Sequence, residues 1–301
     1  MSGQPRVVRR RAHAKLNVFL RVLGRRDDGL HDVETLVLPL ELHDVVEATP
    51  GEALAVEVAG PRAGELRQAG GDDLVMSAAK ALATRCGIDI GGGPGSALAT
   101  IRLDKMIPVA AGLGGGSADA AATLTALREL WSCELDDAEL GVVGAGIGSD
   151  VPALLAGEAV VATGRGEVVH PVHVQTSFWV VCPLPFAVGT PDAYAWWDDD
   201  GTTGHDPGVL VAAAETGNHE LLGHGLYNDL QPGVVARHPE IGRVIDVCLE
   251  AGALGAVMSG SGPTVVALAR HLGDADRIAA AVPGSFVTSG PPRTMTGSGV
   301  V

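Results

Sequence analysis

No uncharged apolar stretch in this 301-residue chain reaches bilayer-spanning length, and no signal-peptide-like apolar segment follows the arginines near its start. Nothing in the sequence directs export or insertion, so a cytoplasmic protein with no membrane partner is expected. Basic residues are also scarce: 21 Lys and Arg stand against 36 Asp and Glu, a formal charge of −15. That balance repels phosphate backbones and argues against nucleic-acid binding by counterion release. Any anionic ligand must be met locally, by backbone N–H groups, a helix N-terminus or a metal. Cysteine is limited to Cys86, Cys133, Cys182 and Cys248, spaced 47, 49 and 66 residues apart. Such spacing fits no metal-ligand pattern, and buried thiols in a reducing compartment are expected. Lysine is rarer still, only Lys15, Lys80 and Lys105 among the 21 basic residues. The chain writes arginine wherever either cation serves, so each lysine carries information.

What is present is apolar enough to fold. Hydrophobic residues make up 46% and charged residues 19%, which excludes general disorder. The length suits two compact halves, expected at residues 1–160 and 161–301, with the first eleven residues and residues 290–301 fraying. Leu16, Val18, Leu20 and Val22 alternate with Asn17, Phe19 and Arg21, so Val7 to Leu23 reads as a strand pair or one long bent strand with Lys15 and Asn17 on one face. The polar turn Arg25 to Gly29 separates it from another apolar run, Val33 to Leu42, and short strands follow at Leu54–Val58 and Ala97–Leu103. Helical spacing marks Asp72–Cys86, the stripe Ala120, Leu124, Leu127 and Trp131, and Pro239–Ala251. Strands are expected again at Phe178–Cys182, Ala256–Met258 and Thr264–Ala269, giving an α+β class. The acidic run Asp198-Asp199-Asp200 reads as part of a solvated loop.

The most informative stretch is Pro108-Val109-Ala110-Ala111-Gly112-Leu113-Gly114-Gly115-Gly116-Ser117-Ala118, which opens a helix. Clustered glycines let successive N–H groups reach phosphate oxygens with no Cβ in the way. The helix adds its N-terminal partial charge, and Ser117 offers a hydroxyl to a phosphate oxygen or a magnesium ion. A Walker A loop needs Gly-Lys-Ser/Thr, and Gly116 is followed directly by Ser117. A dinucleotide fingerprint needs glycine at its sixth position, where the segments starting at Gly112 and Gly144 carry Ser117 and Ser149.

Phosphoryl transfer to an alcohol needs a group that orients or deprotonates the hydroxyl, and positive charge near the moving phosphoryl. Asp150 lies at a loop-to-helix junction, where a carboxylate is either a catalytic base or an N-cap. Lys15 lies within an apolar strand, where a lysine is either functional or at an edge with its ammonium in water. A second glycine turn, Gly260-Ser261-Gly262, offers further N–H donors or is a plain tight hairpin.

Taken together, these segments resemble the kinase superfamily named for galactokinase, homoserine kinase, mevalonate kinase and phosphomevalonate kinase. The matching residues are Ala14-Lys15-Leu16-Asn17, Asp27-Asp28-Gly29-Leu30-His31, Pro108 through Ala122 and Gly148-Ser149-Asp150-Val151-Pro152. Gly164-Arg165-Gly166-Glu167, Asn228-Asp229-Leu230 and Gly260-Ser261-Gly262-Pro263 complete the set, in order, over most of the chain. The likeness is greatest to the branch that phosphorylates cytidine-diphosphate methylerythritol in the non-mevalonate isoprenoid route.

The resemblance implies a two-domain α+β small-molecule kinase fold: an N-terminal ATP-loop domain, a C-terminal α/β-sandwich domain and the active site in the cleft between them. It implies ATP with Mg2+, metal ligands unspecified, and a monomer or homodimer acting on a small molecule. Lys15 and Asp150 would form the catalytic pair, and Pro108 to Ala118 would hold the ATP phosphates. Asn17, His31, Tyr194, Gly260 and Ser261 would lie at the substrate, with His31 reading the cytosine and Tyr194 stacking. Two departures stand out: Leu30 replaces the usual tyrosine before the histidine, and Asp73-Leu74 replaces Asn-Leu.

Overall fold

The protein is described from a computed structural model, which covers residues 6–70, 73–91 and 98–292. Strands β1 (Val8–Arg25) and β2 (His31–Pro50) form a long antiparallel hairpin, and β3 (Ala55–Ala59) follows. Helices α1 (Ala63–Gln68) and α2 (Asp73–Cys86) lead to β4 (Ala99–Asp104), then α3 (Gly115–Leu130), α4 (Asp137–Ala145) and α5 (Val151–Leu155). Next come β5 (Val160–Gly164), β6 (Val168–Pro171) and β7 (Ser177–Cys182), then α6 (Thr190–Asp200), α7 (Gly208–Thr216) and α8 (His219–Gly225). The chain ends in β8 (Tyr227–Asn228), α9 (Gln231–Arg237), α10 (Pro239–Glu250), β9 (Gly255–Met258), β10 (Val265–Ala269), α11 (Leu272–Ala281) and β11 (Phe286–Gly290).

The hairpin turns where the polar run predicts. Gly29 takes φ +81, its N–H donates to the Arg26 carbonyl, and the Asp28 carboxylate accepts from the Leu30 N–H. Among the described residues two sheets form. One runs β3-β4-β2-β1-β8, with β5 pairing along β2 and β6 along β5, and the other runs β11-β7-β10-β9.

The first part of the hairpin, with Ala12, Val46 and Ala48, packs on α2 and α3 through Val75, Leu82, Leu124 and Leu127. The part from Ala14 to Phe19 packs against the second sheet, meeting Trp179, Val181 and Val266. β1 is therefore covered on both faces where alternation predicts one wet face: Lys15 is 4% exposed and Asn17 3%. The reading of Lys15 as a water-seeking edge lysine is thereby overturned.

Three further expectations are corrected. Residues 8–11 do not fray but begin β1, where Arg9 pairs with Glu47 and Arg10 with Glu129. Gly290 likewise closes β11, while residues 293–301 lie outside the described residues. Cys86 and Cys133 are not free thiols; a disulfide joins them with Cα atoms 6.0 Å apart, because α2 and α3 pack together and bring their ends close. Cys182 and Cys248 are buried thiols. Among the described residues no helix is long and apolar enough to cross a membrane.

Candidate active site

The glycine loop leaves β4 and enters α3 through Gly114, which sits at the N-cap in the left-handed region at φ +67. No side chain caps this helix and no acidic residue occupies its first turn, so its leading N–H groups face outward uncompensated. Sterics enforce glycine here. A Cβ on Gly114 would lie 2.8 Å from the Lys15 Cγ, and one on Gly112 would lie 2.6 Å from the Ser259 carbonyl oxygen. The second glycine turn thus packs on the first, and the Ser259 hydroxyl donates to the Gly112 carbonyl at 3.2 Å. Asn228 fixes that turn: its amide donates to the Met258 and Gly260 carbonyls at 2.8 and 2.7 Å. It is no plain hairpin, since Gly260, Ser261 and Gly262 line the same cavity as Gly112 and Gly114.

Lys15 is tied to this loop through its backbone and to the cavity through its side chain. Its backbone N–H donates to the Leu113 carbonyl at 2.9 Å, next to an irregularity in the β1–β2 register between His13 and Lys15. Its ammonium lies 2.8 Å from the Asn17 Oδ1 and 3.4 Å from an Asp150 carboxylate oxygen. Asn17 is oriented in turn by donating to the Thr35 hydroxyl at 2.8 Å. Asp150 occupies the N-cap position of α5, yet its side chain makes no capping hydrogen bond. The carboxylate does not act as a cap: the group turns toward Lys15 instead of its own helix.

One cavity of about 440 Å³ is lined by Lys15, Asn17, Gly114, Ser117, Asp150 and Ser261. Tyr194 lines it as well, and it also lines an adjoining cavity of about 510 Å³ that contains Leu30 and His31. Ser149, Arg165 and Thr190 are shared between the two cavities, which form one continuous cleft. Within it the His31 ring stacks on Tyr194, centroids 4.7 Å apart and planes 23° from parallel. Burial pushes the Tyr194 phenol above its ordinary range, and the Asp150 charge adds to the effect. Of the remaining loop residues, Ala111, Leu113 and Ala118 are buried as anchors.

A charged cluster lies beneath the loop. The Lys105 ammonium is 2.6 Å from both Asp44 and Asp119, all three groups being almost wholly buried. Asp44 also accepts from the backbone N–H groups of Met106 and Ile107, just before the loop, while Asp119 lies just beyond it in α3. One cluster therefore ties down both ends of the loop.

Comparison with known proteins identifies the family. Residues 73–158 match the GHMP kinases N terminal domain and residues 210–288 the GHMP kinases C terminal model. The 4-diphosphocytidyl-2-C-methyl-D-erythritol kinase of Symbiobacterium thermophilum is 40% identical over 84% of this chain and 88% of its own length. That of Rhodococcus jostii is 38% identical over 95% of this chain and 92% of its own. The chain belongs to the 4-diphosphocytidyl-2-C-methyl-D-erythritol kinases. A crystal structure of a 4-(cytidine 5'-diphospho)-2C-methyl-D-erythritol kinase, 31% identical, superposes with a TM-score of 0.76 over 94% of this chain and 100% of that one. Likeness to a mevalonate kinase is confined to architecture: the L. major enzyme, solved in complex with R-mevalonate, gives a TM-score of 0.71 at 18% identity, covering 97% of each chain.

As a member of this family the chain is an ATP-dependent small-molecule kinase with the two-domain α+β fold. Sequence reasoning misplaced one residue of its cleft. Asp198 is not in a solvated loop but in α6, and its carboxylate lies 2.8 Å from the His31 Nε2. The signals for that helix were present: Pro191 in its first turn, Ala193 and Trp197 buried four apart, and Gly201 closing it in the left-handed region. Thr35 carried no signal, since its role depends on a strand pairing across 18 residues. Asp73 begins α2, and its side chain lies outside the described residues.

Proposed function

We propose that this kinase transfers the γ-phosphoryl group of ATP to the C2 hydroxyl of 4-(cytidine 5'-diphospho)-2-C-methyl-D-erythritol in non-mevalonate isoprenoid synthesis. The observation that carries the reading is the Lys15–Asp150 pair, 3.4 Å apart and facing the glycine loop from the same cavity. Asp150 takes the hydroxyl proton as the alkoxide oxygen bonds to the γ-phosphorus, the bond to the bridging oxygen breaks, and ADP leaves. Lys15 offsets the negative charge gathering on the transferring group, and Asn17 holds its ammonium in place. The N–H groups at the start of α3 and around Gly112 cradle the ATP phosphates.

Magnesium would supply positive charge to the phosphates when bound, and the Ser117 hydroxyl lining the cavity is an oxygen that would help hold it. Residues 1–160 supply the phosphate loop and His31, and residues 161–301 the rest of the substrate side, so that Gly260, Ser261 and Tyr194 join His31 in receiving the cytidine diphosphate. All these groups come from one chain, so a monomer or a homodimer serves equally. The cytoplasm, where ATP and cytidine nucleotides are pooled, is the proposed location.

The test is ADP release from purified protein with ATP and magnesium, comparing the cytidine-diphosphate methylerythritol with mevalonate and homoserine. Turnover of the first alone is expected. Turnover of either of the others instead would overturn the substrate reading.

A further inference from the structure

The carboxylate that sequence reasoning left in a loop is the closest polar partner of the residue expected to read the base. Tyr194 and Asp198 stand four residues apart on α6, so they present themselves on one face of the helix. That face meets the first residue of β2. His31 is stacked on Tyr194, set edge-on to Trp197 at 5.7 Å and 89°, and joined through Nε2 to the Asp198 Oδ1 at 2.8 Å. The His31 side chain is 8% exposed and that of Asp198 28%, so the contact is largely shielded from water. On the other carboxylate oxygen stands the Arg25 guanidinium at 3.6 Å. The carboxylate's charge is thus met by arginine, and its contact with the imidazole serves as a directional hydrogen bond.

A carboxylate can only accept, so Nε2 must carry the hydrogen. In the neutral ring Nδ1 is then an acceptor, and among the described residues it has no hydrogen-bond partner in the protein. His31 lines the cavity together with Leu30, a half-exposed aliphatic side chain that offers a base surface but no hydrogen bond. Discrimination between pyrimidines in this pocket therefore falls on groups such as the imidazole.

We infer that Asp198, backed by Arg25, is a positioning residue that commits His31 to an acceptor at Nδ1 and so selects a 4-aminopyrimidine nucleotide over a 4-oxopyrimidine one. The exocyclic amine of cytosine donates to such an acceptor. The 4-oxo group of uracil would set one lone pair against another in a shielded pocket, and a recognition site built for a hydrogen bond rejects the analogue that cannot make it. This inference rests on the proposed reading of the cleft as a cytidine-diphosphate site and extends it to the residue that sets the choice of base.

The experiment is calorimetric binding of cytidine diphosphate and uridine diphosphate to wild-type protein and to Asp198→Asn, Asp198→Ala and Asp198→Glu. Wild type is expected to prefer the cytidine nucleotide by at least about tenfold. Asp198→Asn, whose amide can present either a donor or an acceptor to the ring, should reduce that ratio toward one, as should Asp198→Ala. Asp198→Glu keeps an obligate acceptor and should restore part of it. A purely structural role would weaken both nucleotides together and leave the ratio unchanged, which would overturn the inference, as would a wild-type protein with no preference. Should the alanine variant not fold, the isosteric asparagine variant decides. Turnover assays run in parallel keep the two readings apart: selective cytidine diphosphate binding without phosphorylation of the methylerythritol substrate would sink the proposed reaction and leave the base selection standing. Where turnover occurs, the loss in Asp198→Asn should appear in KM for the cytidine substrate more than in kcat.

Discussion

The Asp150 carboxylate heads α5 without capping it and instead stands 3.4 Å from the Lys15 ammonium. A side chain in the N-cap position that declines the cap gives up a stabilising contact of about 1 kcal/mol. Its orientation is therefore set by the cleft. Asp150→Asn keeps the size and removes the base, so kcat should fall by about a thousandfold, within the range for a lost general base. ATP affinity, read by nucleotide titration, should stay close to wild type, because the loop N–H groups hold the phosphates. Unchanged turnover would remove Asp150 from the chemistry.

Gly114 answers to two constraints at once, a left-handed backbone at φ +67 and the Lys15 stem against its missing Cβ. Gly114→Ala should cost about 1–2 kcal/mol of stability from the backbone alone. Moving the Lys15 stem should also lower kcat, by tenfold or about that, since small misplacements at a reacting centre are expensive. Gly141, in the interior of α4 with open space around its Cβ position, is the contrast. Gly141→Ala should stabilise by about 0.5–1 kcal/mol and leave activity alone. Urea unfolding and initial rates on both variants check the pair.

How much of this was legible beforehand depends on how far each contact reaches along the chain. The glycine loop, its helix and the carboxylate at residue 150 are local features, and local pattern found them. The burial of Lys15 was not legible, because the sheet that covers β1 comes from Trp179 and Val266, more than 150 residues later. Alternation along one strand cannot report what lies on its second face. Asp198 was missed for a different reason: an acidic triplet beside glycine looks like a loop unless the spacing of Ala193 and Trp197 is weighed against it.

Lys105 holds two carboxylates in a site that water does not reach, with Asp44 0% and Lys105 2% exposed. Lys105→Met would leave both acids buried without their cation and should cost about 3–5 kcal/mol. The ends of the loop would loosen with it, raising KM for ATP. Burial opposes the charge on Lys105, yet Asp119 and Asp44 outweigh it and hold the ammonium above its ordinary range. A raised folded value means that the stabilisation is complete below the unfolded lysine pKa and is lost as pH climbs through the folded one. Wild-type stability should therefore drop on the strongly alkaline side, and Lys105→Met should show a shallower drop. Parallel alkaline profiles for the two proteins would contradict this account.

The disulfide between Cys86 and Cys133 closes a loop that spans a sequence separation of 47 residues and contains the whole of the glycine loop and α3. Constraining the unfolded chain over such a length is worth about 4 kcal/mol in the chain-entropy treatment. Cys86→Ser should lower unfolding stability by up to that amount in oxidising buffer and by almost nothing in the presence of a strong thiol reductant. The cleft lies at the opposite end of α3, where Gly115 starts the helix, so kcat should be unaffected at temperatures well below unfolding. Thermal unfolding of wild type with and without reductant supplies the reference. If the variant and wild type unfold alike in oxidising buffer, the bond contributes nothing, and the packing of α2 on α3 holds the loop by itself.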